Sequence, residues 1–285
     1  MDENVNKQSF HKPLMPIYFL AGSFTLAFSG IYILVVPLSS LFWPGEPFHA
    51  LEMGVLIASM FVPMSFAGLI FGRLIDQYNR VKIFFVVAMV RGISVFLLSF
   101  TRMGRGLESW AYFYVFTLIF AFFAGGNYPT VVSLAHDMVL KEKRSRFFGI
   151  YNLFRFGFQM SGFLFVGYLV QVGLWRWIFI SIGTMILVAG TIMYLKIKEP
   201  RRGAQREELQ EVIEKEIDYD YKMDKEHMKQ TMLSKTNLIA LIEGIFTSIY
   251  LGSLTILFLP YIQTSPHNIS PFSTGVFLAI FGFSG

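Results

Sequence analysis

Long unbroken runs of apolar residues constrain the possible folds of this sequence more than any other feature. Runs such as "FFVVAMV" and "IFISIGTMILVAG" lack both the spacing of an amphipathic helix and the alternation of a half-buried or barrel strand. Charged residues make up 15% of the 285 residues, whereas a soluble domain carries about 25%. We therefore expect a chain that lies in a lipid bilayer, and we disfavour a soluble enzyme, a disordered chain and a disulfide scaffold.

Seven of these runs are long enough to cross a bilayer as helices, since a crossing needs about 20 mainly apolar residues. By that rule the spans lie at 15–38, 52–75, 82–101, 110–135, 147–171, 174–195 and 237–262, and an eighth begins at Pro271. The predicted fold class is an all-α membrane protein. Its predicted parts are a cytoplasmic tail (1–14), an N-terminal six-span bundle (15–195), a cytoplasmic linker (196–236) and the start of a second bundle (237–285).

The distribution of Lys and Arg predicts the orientation, because cytoplasmic loops carry an excess of both. With the N-terminus inside, the outer loops hold only Arg102, Arg105 and Arg176 of the 24 basic residues. We therefore expect a multi-pass protein of the cell membrane with a cytoplasmic N-terminus. The linker mixes acids and bases and is typical of a solvated helical tether; a calmodulin-like or lipid head-group site is the weaker alternative, because the acids dilute the basic charge.

The turn between spans two and three carries the sharpest local pattern, "GRLIDQYNRVKI". Gly72 allows two helices to approach closely. Asp76 and Arg80 are four residues apart and face each other if the backbone stays helical, while Asn79 tolerates a left-handed turn. A carboxylate here can act as a conformational latch against the positive N-terminal end of a neighbouring helix. The alternative is that these charges only set the topology.

This turn resembles the loop signature of the major facilitator superfamily, G-x-L-x-D-x-x-G-R-[RK], which lies between the same two spans. Four positions match: Gly72, Leu74, Asp76 and Arg80. Two positions depart, since Gln77 replaces a basic residue and Asn79 replaces a glycine. The stretch "GGNYPTVVSLAHDMVLKEKRSRFFGIYNLFRFGFQMSG" resembles the connection between spans four and five, and "LWRWIF" resembles the start of span six.

Within the superfamily, "DQYNR" and "KEPRRG" are most similar to spinster-like lipid transporters. Span one lacks the Asp-Arg pair of that subgroup, and Asn127 stands near the position of its Glu, so its proton-coupling scheme does not transfer. The resemblance implies two six-helix bundles that rock by alternating access. It also implies a cytoplasmic gate formed by Gly72, Asp76, Arg80, Asp137, Arg144 and Arg146.

Several polar residues lie inside the predicted spans. At 1.5 Å per residue, four of them lie roughly 10–14 Å from the cytoplasmic ends of their spans: Arg91, Asn127, Arg155 and Glu243. A charge at the membrane centre costs at least about 2.5–3.5 kcal/mol, so such residues usually face a cavity or a partner. The predicted substrate cavity therefore comprises Arg155, Asn127, Gln159, Arg91 and Thr25.

The individual residues have alternative interpretations. Arg155 favours an anionic or strongly polar substrate, such as a lysophospholipid or an organic acid, and Phe154 and Phe158 are candidates to line its cavity. Arg91 could instead pair with a backbone carbonyl. Glu243 is the leading proton carrier, because burial favours the neutral carboxyl, and it could also pair with Arg155. The alternative for Glu243 is a side chain that reaches back to the interface.

We therefore expect a secondary active transporter for a small amphipathic or anionic solute, coupled to protons. A drug or cation exporter of the same fold, a non-transporting scaffold and a membrane-embedded enzyme are the alternatives. The sequence shows no metal-ligand spacing, no cofactor motif, no nucleic-acid motif and no Cys. The expected partners are a small-molecule substrate and the lipid bilayer, and the oligomeric state is left open. A superfamily member has twelve spans, so we expect a fragment, the alternative being a half-transporter that dimerises.

Overall fold

The computed structural model describes residues 12–203 and 233–282, and these residues form helices and connections without a strand. Six helical segments in these ranges are long and apolar enough to cross a membrane. They coincide with the first six predicted spans, so the all-helical membrane fold is confirmed. Most of the predicted tail and most of the predicted linker lie outside the described residues, at 1–11 and 204–232.

The described residues contain ten α-helices, which we label in chain order. Their bounds are α1 Met15–Ile33, α2 Val35–Phe42, α3 Ala50–Gln77, α4 Arg80–Leu98, α5 Leu107–Ala124, α6 Asn127–Met138, α7 Arg144–Gln171, α8 Trp175–Lys196, α9 Lys235–Gln263 and α10 Pro271–Gly282. Helix α9 coincides with the predicted seventh span, and α10 begins at Pro271, where the eighth was predicted to begin.

Two of the spans consist of two helices each. Span one is α1 followed by α2, and the break at Leu34 follows from Pro37, which has no N–H to donate to the Ile33 carbonyl four residues earlier. The Gln263 amide at the end of α9 donates to that carbonyl at 3.5 Å. Span four is α5 followed by α6, with Gly125 at the break. Each of these two spans is therefore a broken helix.

We call the end of the bundle at which α1 begins the tail face and the other end the opposite face. The alternating helices place these residues at the tail face: Met15, Gln77, Arg80, Met138, Arg144, Lys196 and Lys235. The second bundle touches the first near the opposite face, where a Cβ on Gly167 of α7 would lie 2.7 Å from the Pro271 carbonyl oxygen of α10. Towards the tail face, by contrast, Ile239, Ile242 and Glu243 of α9 are exposed.

Small residues allow the helices of the first bundle to pack closely. Helix α4 packs along α8, and α1 packs along α7. A Cβ on Gly183 of α8 would lie 2.7 Å from the Phe96 backbone nitrogen of α4, a separation that no real side chain adopts. This close approach holds α4, which carries both Arg80 and Arg91, in a fixed position.

Candidate substrate cavity and gate

A cleft of about 190 Å³ lies between α1 and α7, and its lining residues are Thr25, Asn152, Arg155, Phe156 and Gln159. The half-buried Arg155 donates from Nε to Thr25 Oγ1 at 3.4 Å and from Nη1 to Asn152 Oδ1 at 3.5 Å. Both acceptors are neutral and both bonds are long. The structure thus brings together three of the five predicted cavity residues around a cation that can accept an anionic ligand.

Asn127 and Tyr151 form a second polar group beside this cleft. Asn127 is the first residue of α6, directly after the break in span four. In the described residues its Oδ1 atom and the Tyr151 hydroxyl are both buried and make no hydrogen bond of normal geometry, although the two side chains lie close enough to interact with each other. The sequence reasoning missed Tyr151, although it precedes Arg155 by one helical turn and therefore lies on the same side of α7.

Arg91 occupies neither of its two predicted environments. Arg91 is 1% exposed, and within residues 12–203 and 233–282 none of its three guanidinium nitrogens has a hydrogen-bond partner. Its guanidinium carbon lies 3.7 Å from the centre of the Phe24 ring, 4.5 Å from that of Phe120 and 5.8 Å from that of Phe28. Arg91 thus neither lines the open cleft nor binds a backbone carbonyl. Each cation–π contact contributes about 0.5–2 kcal/mol, whereas the desolvation of a buried ion costs several kcal/mol.

Glu243 lies on α9 of the second bundle, and its side chain is exposed. In the described part of the chain Glu243 forms no ion pair, so the predicted contact with Arg155 is not made here. The prediction that Glu243 carries a proton stays a prediction. The aromatic expectation was wrong in detail: Phe154 packs on Tyr18 and Phe158 packs on Gly22, both of α1, while Phe156 lines the cleft.

At the tail face Arg80 is the centre of a buried ionic cluster. Its side chain is 3% exposed, and it contacts Asp137 of α6 at 2.5 Å and Glu199, beyond α8, at 2.7 Å. Its Nη2 donates to the Pro200 carbonyl at 3.0 Å, and its Nη1 donates to the Ser133 hydroxyl at 3.1 Å. Arg80 therefore joins the start of α4 to α6 and to the segment that follows α8.

The predicted contact between Asp76 and Arg80 is wrong. Helix α3 ends at Gln77 and Tyr78 is extended, so the four-residue spacing does not lie on one helix. The Asp76 side chain is exposed. Asn79 is not left-handed, since its φ is −65° and its ψ is 115°, and its side chain instead accepts a hydrogen bond from the Lys82 N–H at 2.8 Å as the N-cap of α4.

The remaining predicted gate residues also differ in their contacts. Arg144 does not pair with Asp137; it donates to the His136 carbonyl at 2.8 Å and so satisfies the C-terminal end of α6. A Cβ on Gly72 would meet no atom within 4 Å in the described residues, so the close helix approach predicted there is absent from them. Arg146 is exposed near the start of α7.

The segment after α8 binds the tail face at several points that sequence spacing does not reveal. Glu199 Oε2 accepts from the Val81 N–H at 2.9 Å, and the Gly203 N–H donates to Asp137 Oδ1 at 3.1 Å. Arg202 donates to the Asp76 carbonyl, and to those of Ile75 at 2.9 Å and Tyr78 at 3.0 Å. The stretch "KEPRRG" contains Glu199 and Arg202, but nothing local to it indicates what they bind, because their partners lie more than 100 positions away. In the described ranges no group of three His, Asp or Glu side chains could hold a metal ion.

Comparison with solved structures shows the fold. A bacterial homologue of the human lysosomal transporter Spinster, in an inward-facing and unoccupied conformation, matches with a TM-score of 0.73 and 16% identity over 97% of this chain and 60% of that chain. A D-xylose–proton symporter matches with a TM-score of 0.68 and 13% identity over 95% of this chain and 66% of that chain. At these identities the likeness concerns the fold alone.

Comparison of sequences gives the family. A putative glycerol-3-phosphate transporter 1 of Arabidopsis thaliana is 28% identical over 170 residues, which make up 57% of this chain and 32% of that protein. The chain thus spans about a third of that curated relative. The model of the Major Facilitator Superfamily matches residues 13–285. The match confirms the resemblance of the turn after span two, and the chain belongs to the Major Facilitator Superfamily.

Proposed function

We propose that the protein is a secondary active transporter that moves a small anionic or amphipathic solute by alternating access. The family supports the transport function, and the cleft supports the charge of the solute. Arg155 is the single observation that carries the proposal: it lies at the cleft between α1 and α7, and its hydrogen bonds are long and made to neutral groups. An anionic head group would form shorter, charge-assisted bonds to the same guanidinium.

The proposed solute is consistent with one relative. The curated relative from Arabidopsis thaliana is named for glycerol-3-phosphate, which carries an anionic head group. The apolar side chain of Phe156 lines the cleft beside Arg155 and would accommodate the uncharged part of an amphipathic solute. In the proposed binding mode, the anionic head group of the solute binds Arg155 and its uncharged part packs on Phe156.

The tail face is the proposed cytoplasmic side, as the distribution of Lys and Arg predicts. The contacts of α9 and α10 with the first bundle described above lie near the opposite face. We infer that the structure is open to the cytoplasm, and the likeness to an inward-facing transporter supports this. The proposed gate comprises the cluster of Arg80, Asp137 and Glu199 together with the exposed Asp76, which would meet the second bundle when the tail face closes.

Proton coupling through Glu243 is the second part of the proposal. Glu243 lies on α9, and its exposed side chain allows a proton to reach it from the open tail face. When the bundles close, the same side chain would be shielded from the tail face. A carboxyl group that alternates between these two environments can bind a proton on one side and release it on the other.

The test is uptake of labelled phenyl phosphate, an organic anion with an apolar ring, into liposomes that contain the full chain. Arg155→Gln should reduce uptake at least about tenfold, since it removes charge-assisted bonds. Arg105→Gln is the matched control, because Arg105 is exposed and, among the described residues, its side chain forms an ion pair with Glu108 alone. Unchanged uptake by Arg155→Gln would contradict the proposed role of the cleft, and uptake of organic cations instead of anions would favour a drug exporter.

A further inference from the structure

Arg91 is a buried cation that the fold does not satisfy. All three of its guanidinium nitrogens are buried, and none has a hydrogen-bond partner in the part of the chain that the structure describes. Phenyl rings surround it, with the Phe24 ring centre 3.7 Å from the guanidinium carbon. Burial of an ion without hydrogen bonds is strongly unfavourable, and ionisable groups inside membrane spans commonly mark substrate pathways. The missing partners of Arg91 therefore indicate a ligand.

Tyr151 connects Arg91 to the open cleft. The Tyr151 hydroxyl lies within electrostatic reach of both Arg91 and Arg155, next to the Asn127 side chain. The Arg155 guanidinium carbon lies 5.6 Å from the centre of the Tyr151 ring. Among the described residues, the hydroxyl and Asn127 Oδ1 make no hydrogen bond of normal geometry, and each is the nearby polar group available to the other. Unsatisfied polar atoms thus converge at one place, and in the described part of the chain neither guanidinium has a carboxylate partner.

The cover over Arg91 lies next to the cleft along the chain. Phe24, whose ring centre is 3.7 Å from the Arg91 guanidinium carbon, directly precedes Thr25, which lines the cleft and accepts a hydrogen bond from Arg155. Phe24 and Tyr151 are both buried, so their rings would have to move for a ligand in the cleft to reach Arg91.

We propose that Arg91 and Arg155 together bind a doubly charged anionic head group, and that Phe24 and Tyr151 cover Arg91 until such a head group enters. This inference rests on the proposed anionic substrate and specifies its charge. Two guanidinium groups and the Tyr151 hydroxyl supply enough donors to surround a tetrahedral dianion. A singly charged head group needs only Arg155. Arg91 therefore favours substrates whose head group carries a second negative charge.

The test compares phenyl phosphate with phenyl sulfate, which have the same shape. At pH 8 the phosphate carries two negative charges, because its second pKa is about 6, and the sulfate carries one. Binding of each probe to the purified full chain is measured by the change in tryptophan fluorescence. The wild type should bind the phosphate about tenfold more tightly than the sulfate, as expected for one further charge-assisted contact.

The variants separate the contributions that Arg91 and Arg155 make to binding. Arg91→Met keeps the volume of the side chain and should abolish the preference for phosphate while it leaves the affinity for sulfate unchanged. Arg155→Gln should lower the affinity for both probes, and the exposed control Arg105→Gln should change neither affinity. Phe24→Leu, which removes the ring but no charge, should raise the affinity for phosphate only, and it provides a second reading if Arg91→Met does not fold.

Each outcome decides one claim. An unchanged preference in Arg91→Met, or an unchanged affinity for phosphate in Phe24→Leu, overturns the role of Arg91 and leaves the proposed function intact. Binding of neither probe to the wild type overturns the anionic substrate itself. If Arg91→Met loses the preference for phosphate over sulfate and still binds sulfate, the result supports both the role of Arg91 and the anionic substrate.

Discussion

The cluster at the tail face allows a quantitative prediction for Asp137→Asn. This change removes the charge that lies 2.5 Å from Arg80, in a pair whose side chains are 3% and 9% exposed. Loss of one partner of a buried ion pair costs about 3–5 kcal/mol. Arg80 keeps Glu199 and the Pro200 carbonyl, so we expect the lower end, about 3 kcal/mol. That value corresponds to a change on the order of 100-fold in the unfolding equilibrium.

The assay is chemical unfolding of the purified full chain in micelles, followed by tryptophan fluorescence. Asp76→Asn is the informative comparison, because sequence spacing assigns Asp76 to Arg80 whereas the structure leaves it exposed. We expect Asp76→Asn to change the free energy of unfolding by less than about 0.5 kcal/mol, as for most surface substitutions. Glu142→Gln, an exposed acid on the same face, is the control. The reasoning would be refuted if Asp76→Asn lowered the free energy of unfolding by as much as Asp137→Asn or by more.

Three further predictions concern helix packing, helix capping and coupling. Gly183→Ala should lower the midpoint of thermal unfolding, because the added Cβ would meet the Phe96 backbone. Gly149→Ala should be neutral or stabilising, because a Cβ there meets no described atom within 4 Å. Equal midpoints for the two variants would contradict the packing. Asn79→Ala should cost about 1 kcal/mol of unfolding free energy and Asn79→Gly only a few tenths, and equal losses in chemical unfolding would exclude the cap. Glu243→Gln should abolish proton-driven uptake in liposomes and leave solute exchange intact; an unchanged pH dependence would remove Glu243 from that role.

The Arg80 cluster has a consequence for the mechanism. Glu199 and Arg202, which lie at the start of the predicted linker (196–236), bind the tail-face ends of α3 and α4. The first bundle and the start of the linker are therefore tied to each other at the tail face. Such contacts favour movement of the first bundle as a unit, which is what alternating access by rocking requires. The exposed Asp76 side chain, which forms no ion pair among the described residues, is the proposed contact for the second bundle.

Within the predicted cavity, sequence reasoning succeeded where helical spacing applies. Arg155 and Gln159 are four residues apart on one unbroken helix, and the structure places both at the same cleft. Depth in the membrane did not predict the surroundings of Arg91, because depth does not reveal the direction of a side chain. Arg91 faces Phe24 and Phe120 rather than the cleft, although the predicted depth is the same as that of Arg155.

The sequence by itself determined where the membrane helices lie and to which family the chain belongs. The reason is that the thickness of a bilayer demands about 20 apolar residues per crossing, a requirement that is local and visible in any single run. Only the tertiary structure decided which charges meet. Arg80 pairs with residues 57 and 119 positions away, because antiparallel helices bring distant chain segments to the same face of the membrane, and no local spacing encodes that meeting.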